Sequence, residues 1–227
     1  MPTITEIKQS MPRDKSHYDR WGNPAAYFCA RPLSYPVTAL FITLGMSANA
    51  ASAASIVFAL LSIVAAAMAS SAWLVGGLVM MWLILDCVDG NIARFTRTGS
   101  NRGEFLDAMG GYTITAGLYL AIGYGMGNME SLLLGALASI FSLFSRLILN
   151  KVNVLAGARR DGSGDTGSGR VAMWLLSIYN LSGIGMLLLI LAILFQHETA
   201  YLAFQALTGA AFTGGAFLQG WKKLQAS

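Results

Sequence analysis

Charge is the scarcest resource in this chain of 227 residues: 11% of its side chains are charged, while 55% are hydrophobic. An average soluble domain carries about 25% charged residues, and the mean hydropathy here is +0.57. That balance excludes a large soluble domain and marks a membrane protein. Cysteine is nearly absent, with Cys29 and Cys87 alone, so no disulfide framework is possible. The two histidines, His17 and His197, lie too far apart in sequence to read as a metal-ligand pair. No apolar stretch opens the chain, which is unlike a signal peptide. The net charge of +4 comes from 15 bases against 11 acids; in a membrane protein this reflects loop asymmetry rather than affinity for nucleic acid.

What the sequence has in abundance is long uncharged runs. A transmembrane helix needs about 20 residues, and six segments approach that length: 50–70, 72–92, 103–126, 131–149, 171–195 and 200–218. The expected fold is therefore an all-α integral membrane protein with six transmembrane helices. Ahead of them, 1–21 is polar without a clear helical period, and 23–45 is apolar but broken by Pro24, Pro32 and Pro36. The latter reads as an amphipathic juxtamembrane helix lying in the interface. The division that follows is a cytoplasmic tail and interfacial helix over 1–45 and a six-helix domain over 46–227. Pairs such as Gly76–Gly77, Gly110–Gly111 and Gly214–Gly215 suit close helix packing in lipid.

Threading six spans sorts every base to one side: Lys8, Arg13, Lys15, Arg20 and Arg31, then Arg94, Arg97 and Arg102, then Arg146, Lys151, Arg159, Arg160 and Arg170, then Lys222 and Lys223. The opposite connections hold Glu130, His197 and Glu198 and no base. Both termini are expected in the cytoplasm, with the chain in the inner membrane.

Acids inside a span are costly and point to function. Asp86 and Asp89 share a face near the cytoplasmic end of the second span, and Asp107 lies one turn into the third. Their repulsion calls for a cation among them, and hard oxygen ligands favour Mg²⁺, Mn²⁺ or Ca²⁺. An Asp–Arg cluster at a helix end or a proton relay would also accommodate three acids.

The neighbouring residues narrow the choice. From Asp86 the chain reads Asp86-Cys-Val-Asp89-Gly90-Asn-Ile-Ala93-Arg94, with Gly103 and Asp107 following at fixed spacing. This resembles the signature of the CDP-alcohol phosphatidyltransferase family, D-x2-D-G-x2-A-R-x8-G-x3-D-x3-D, at seven of its eight positions. At average residue usage such a match arises by chance on the order of once in a hundred million starting points. The resemblance implies metal-dependent transfer of a phosphoalcohol, usually phosphatidyl, group from a CDP-linked lipid to a hydroxyl acceptor with release of CMP, in phospholipid biosynthesis. By the same resemblance, Asp86, Asp89 and Asp107 are the metal ligands and catalytic acids, holding two ions of Mg²⁺ or Mn²⁺. Gly90, Ala93, Arg94 and Gly103 would meet the CDP donor, as would Asn49 and Ser52, which stand where the family often has Pro-Asn-x-x-Thr. A homodimer in contact with membrane lipid is expected as well, and no nucleic acid.

One signature position departs. The final Asp, the family's general base, is Gly111 here. The metals could lower the acceptor's pKa, the acceptor could bring its own phosphate or carboxylate, or Glu104, Asp161 or Asp165 could substitute. Alternatively the chain binds a CDP-lipid without turnover, or it is a cation or proton transporter. Arg146, near the end of the fourth span, is placed either on an acceptor phosphate or among lipid headgroups. Arg159 and Arg160 sit in a Gly-rich loop that could cradle an anion.

Overall fold

The computed structural model describes residues 2–155 and 177–225. The described residues are helical, with no strand among them. Three helices precede the apolar runs: α1 (Ile4–Gln9), α2 (Arg13–Gly22) and α3 (Arg31–Thr43), the last entered through a π-helical turn at Ala26–Ala30. Then come α4 (Ala48–Ala67), α5 (Ala72–Thr96), α6 (Asn101–Gly125), α7 (Met129–Leu155), α8 (Gly185–Leu194) and α9 (Glu198–Gln225).

Serines start the principal helices. Ser47, Ser71 and Ser100 each accept a hydrogen bond from the backbone N–H three residues on, satisfying a donor that a helix start leaves unpaired. The last turn of α5 closes on Arg97, whose left-handed backbone (φ 54°) ends the helix and turns the chain toward α6. Around the bundle α5 packs on α4, α4 on α6, α6 on α7, α7 on α9, and α9 through α8 back to α5, a closed ring of six helices.

Four of these helices, Ala48–Ala67, Ala72–Thr96, Asn101–Gly125 and Met129–Val152, are long and apolar enough to cross a membrane. The expected sixth span falls within α9, which is long enough but diluted by Gln205, Thr208, Thr213 and its glycines. The expected fifth span begins at Val171, outside the described residues, and does not continue as one helix to Phe195. The chain instead turns at Asn180–Ile184, where the Ile184 N–H reaches the Ser177 carbonyl at 2.7 Å. A side chain at Gly183 would meet that same carbonyl at 2.2 Å, so this turn depends on glycine. It docks on the N-terminal segment: the Ser182 hydroxyl donates to Asn23 Oδ1 at 2.6 Å, and the Ser182 carbonyl accepts from the Ala26 N–H at 2.9 Å.

The polar segment 1–21 is more ordered than its weak periodicity suggests. Thr3 and Glu6 form a reciprocal capping box at the start of α1, and Ile7 is fully buried as α1 packs on α3. On α2, Asp19 is buried and pairs with Arg31 of α3, whose Nε donates to it at 2.8 Å. Tertiary burial, rather than local pattern, fixes both helices.

Candidate active site

The cytoplasmic ends expected for the second and third spans are the C-terminal end of α5 and the N-terminal end of α6, and the start of α4 joins them there. Asp86 and Asp89 follow each other by one turn on α5, and Asp107 is on α6. Asp86 lies within hydrogen-bonding range of Asp107 and within electrostatic reach of Asp89 and of Lys15 on α2. Asp89 is buried and turned toward α4, where the Ser52 hydroxyl donates to its Oδ2 at 2.6 Å. The sequence thus brings together three acids and Ser52, although they are 37 positions apart at the Ser52–Asp89 bond.

No salt bridge among the described residues joins a base to any of the three acids; the pair formed there is Arg31–Asp19. Two carboxylates in contact without a base between them repel unless a proton or cation is shared. As placed, no three acidic, histidine or cysteine side chains among the described residues form a ready coordination shell. The donor set of carboxylate oxygens nonetheless suits a hard divalent cation, and the missing basic partner leaves room for its charge.

Beside the acids the small residues of the signature make close approaches. A side chain at Gly90 would meet the Arg94 guanidinium at 2.9 Å, and one at Gly103 would meet Asn49 Oδ1 at 3.1 Å. Asn49 also lines a cavity of about 390 Å³ with Ser47, Ile92, Thr96, Thr98 and Ser100. Ala93 is half-buried on the same end of α5. Arg94 folds back across Gly90; its Nη2 donates to Asn91 Oδ1 at 2.8 Å, while its Nε is buried without a partner. An orphaned guanidinium N–H is suited to an anionic ligand. Arg97 and Arg102 are exposed.

Sequence reasoning passed over Asn91. This residue is buried, and its Nδ2 donates to Ser34 Oγ at 2.9 Å and to Thr38 Oγ1 at 3.2 Å, both on α3. Its place at a variable position of the signature gives no signal, since the partners lie on the N-terminal helices. Arg146 emerges in a place the sequence does not reveal: its Nη1 lies 3.3 Å from where a side chain at Gly111 would begin. Glu104 is exposed in the first turn of α6. Asp161, Asp165, Arg159 and Arg160 fall outside the described residues.

A family model for CDP-alcohol phosphatidyltransferase matches residues 45–213, more than half of the chain. The chain belongs to the CDP-alcohol phosphatidyltransferase family. Members of this family transfer a phosphoalcohol group from a CDP-alcohol in phospholipid synthesis, and the family is generally dependent on a divalent metal. No curated protein and no solved structure matches the chain. The matched residues run from just before α4 into α9, so the acids, Asn49 and Arg146 all lie within the part assigned to the CDP-alcohol phosphatidyltransferase family.

Proposed function

We propose that this membrane protein transfers a phosphatidyl group from a CDP-linked lipid to a hydroxyl acceptor and releases CMP. The observation that carries this reading is the contact of Asp86 with Asp107, without a base between them, inside the region that the family model matches. Asp86, Asp89 and Asp107 hold Mg²⁺ or Mn²⁺, which when bound neutralises the diphosphate and stabilises the departing CMP. Ser52 holds Asp89 in place. The cavity bearing Asn49 takes the cytidine end of the donor, Gly90, Ala93 and Gly103 let the donor come close to the helices, and Arg94 meets its phosphates. Both termini and the site face the cytoplasm of the inner membrane, six spans enclose the site, and two copies form a homodimer.

In the transfer, the acceptor oxygen forms a bond to the lipid-bearing phosphorus as the bond from that phosphorus to the CMP oxygen breaks. Gly111 offers no carboxylate to take the acceptor's proton. The acceptor's own phosphate or carboxylate takes it, and Arg146 orients that anionic group. Gly111 also favours a second reading, in which a CDP-lipid is bound but not turned over, because a positioned general base contributes about 10²–10⁴-fold.

The test is CMP release from labelled CDP-diacylglycerol in membranes supplied with a panel of polar alcohols, with and without Mg²⁺. Metal-dependent release that Asp107→Ala abolishes is the expected result. Retention of the CDP-lipid without release under any acceptor would favour the second reading, whereas cation or proton flux without nucleotide would replace both by transport.

A further inference from the structure

Helix α2 is fastened at several points along its length. The buried Arg31 of α3 grips it twice: Nη1 donates to Met11 Sδ at 3.4 Å just ahead of the helix, and Nε donates to Asp19 at 2.8 Å near its end. Beyond the helix, Asn23 Oδ1 accepts from the Ser182 hydroxyl at 2.6 Å, which ties this segment to the turn at Asn180–Ile184. Met11, Lys15 and Asp19 follow one another at intervals of four residues. Lys15 and Asp19 therefore share a face of α2, and Lys15 stands midway between the two points that Arg31 holds.

Lys15 is half-buried there. Three consecutive-turn groups of α5, Asp86, Cys87 and Asp89, lie within its electrostatic reach. Yet Lys15 closes no salt bridge among the described residues. Three residues further along α2, Tyr18 lies within electrostatic reach of Arg146 on α7. The helix thus runs beside both parts of the site proposed above, with Lys15 at the acids and Tyr18 at Arg146.

A base held near acids that it does not pair with is available to another anion. Once the charge of the acids is taken up by a divalent ion, the anion brought to this place is the diphosphate of the donor. A lysine meets a phosphate as a point charge with three N–H donors on a flexible stem. Arg146 lies on the acceptor's side in the reading above, which leaves Lys15 for the leaving group. We infer that Lys15 binds the phosphate that departs with CMP, and that α2 forms a wall of the transfer site although it lies ahead of the family-matched residues 45–213. The inference rests on the transferase reading and adds a donor-binding residue to it.

CMP is the probe, titrated by calorimetry into the purified full-length chain in nanodiscs of zwitterionic lipid at saturating Mg²⁺. Lys15→Gln should weaken CMP about tenfold, the scale of one hydrogen bond to a charged group, without lowering the thermal midpoint. Lys15→Arg should retain most of the affinity. Arg13→Gln, which removes an exposed charge from the same helix, should leave it unchanged. In the unaltered protein, CMP should also shield Lys15, and not the exposed Lys8, from an amine-reactive reagent read by mass spectrometry. An equal loss in Arg13→Gln would reduce the effect to diffuse charge, and unchanged CMP affinity with tighter Mn²⁺ binding in Lys15→Gln would make Lys15 a counter-ion of the acids alone. Either result overturns the inference and leaves the transferase reading intact. Equal labelling of Lys15 with and without bound CMP overturns it whether or not the variants fold, whereas no CMP binding by the unaltered protein would overturn both.

Discussion

Asn91 shows how a single buried amide ties the N-terminal helices to the signature. Its two N–H groups are divided between Ser34 and Thr38, and its oxygen receives Arg94, so every polar atom of the side chain is used. Truncation to alanine strips Arg94 of its Asn91 partner while its Nε is already unpartnered. Leaving a buried polar group unsatisfied costs about 1–3 kcal/mol. Asn91→Ala should therefore lower the thermal midpoint in detergent and raise KM for the CDP-donor more than it lowers kcat. An unchanged KM with reduced stability would confine Asn91 to a structural role. At this scale, what was legible followed distance along the chain. The acids, Gly90, Ala93, Arg94 and Gly103 fall within one short stretch whose spacing carries chemistry. The Asn91–Ser34 bond joins positions 57 apart, and the meeting of Gly111 with Arg146 joins two helices. No local pattern encodes either.

Helix against helix, close approaches of backbone lie away from the site, among them where α6 crosses α7. A side chain at Gly123 would meet the Ser131 carbonyl at 2.3 Å, and one at Gly135 would meet the Tyr119 carbonyl at 2.5 Å. Both contacts are with backbone, which cannot rotate away, so the two helices approach more closely than any larger residue permits. Overpacking generally costs about 1–3 kcal/mol and more where the neighbour cannot move. Gly123→Leu should abolish a monodisperse peak on size-exclusion chromatography, whereas Gly77→Leu, with nothing within 4 Å of its added Cβ, should preserve it. Equal behaviour of the two variants would show that the α6–α7 crossing tolerates separation. The glycine pairs in the sequence gave only part of this arrangement: Gly76 packs on Ile190 and Gly110 on Ile56, but Gly214 and Gly215 meet nothing within 4 Å. Likewise α1 and α2 escaped notice, since one buried isoleucine and one buried Asp–Arg pair hold them, and neither produces a hydrophobic period.

For the whole molecule, four spans were legible because uninterrupted apolar length is itself the physical requirement for crossing lipid. The break at Asn180–Ile184 was not, because it depends on a glycine turn docked against Asn23 and Ala26. For orientation, the positive-inside rule predicts that the basic end faces the cytoplasm. The α5–α6 connection carries Arg97, the first turn of α6 Arg102 and the start of α7 Glu130, all three exposed. Placing the basic end inside also places the acids where CMP can leave into the cytoplasm and a lipid donor can enter from the inner leaflet. The prediction is read by cysteine labelling on a Cys29→Ser background, which removes the exposed native thiol and leaves the buried Cys87. In right-side-out vesicles a membrane-impermeant maleimide should label Glu130→Cys directly and Arg97→Cys only after the membrane is opened. The reverse pattern would invert the chain and place the acids on the outer face, away from the cytoplasmic pool of nucleotide.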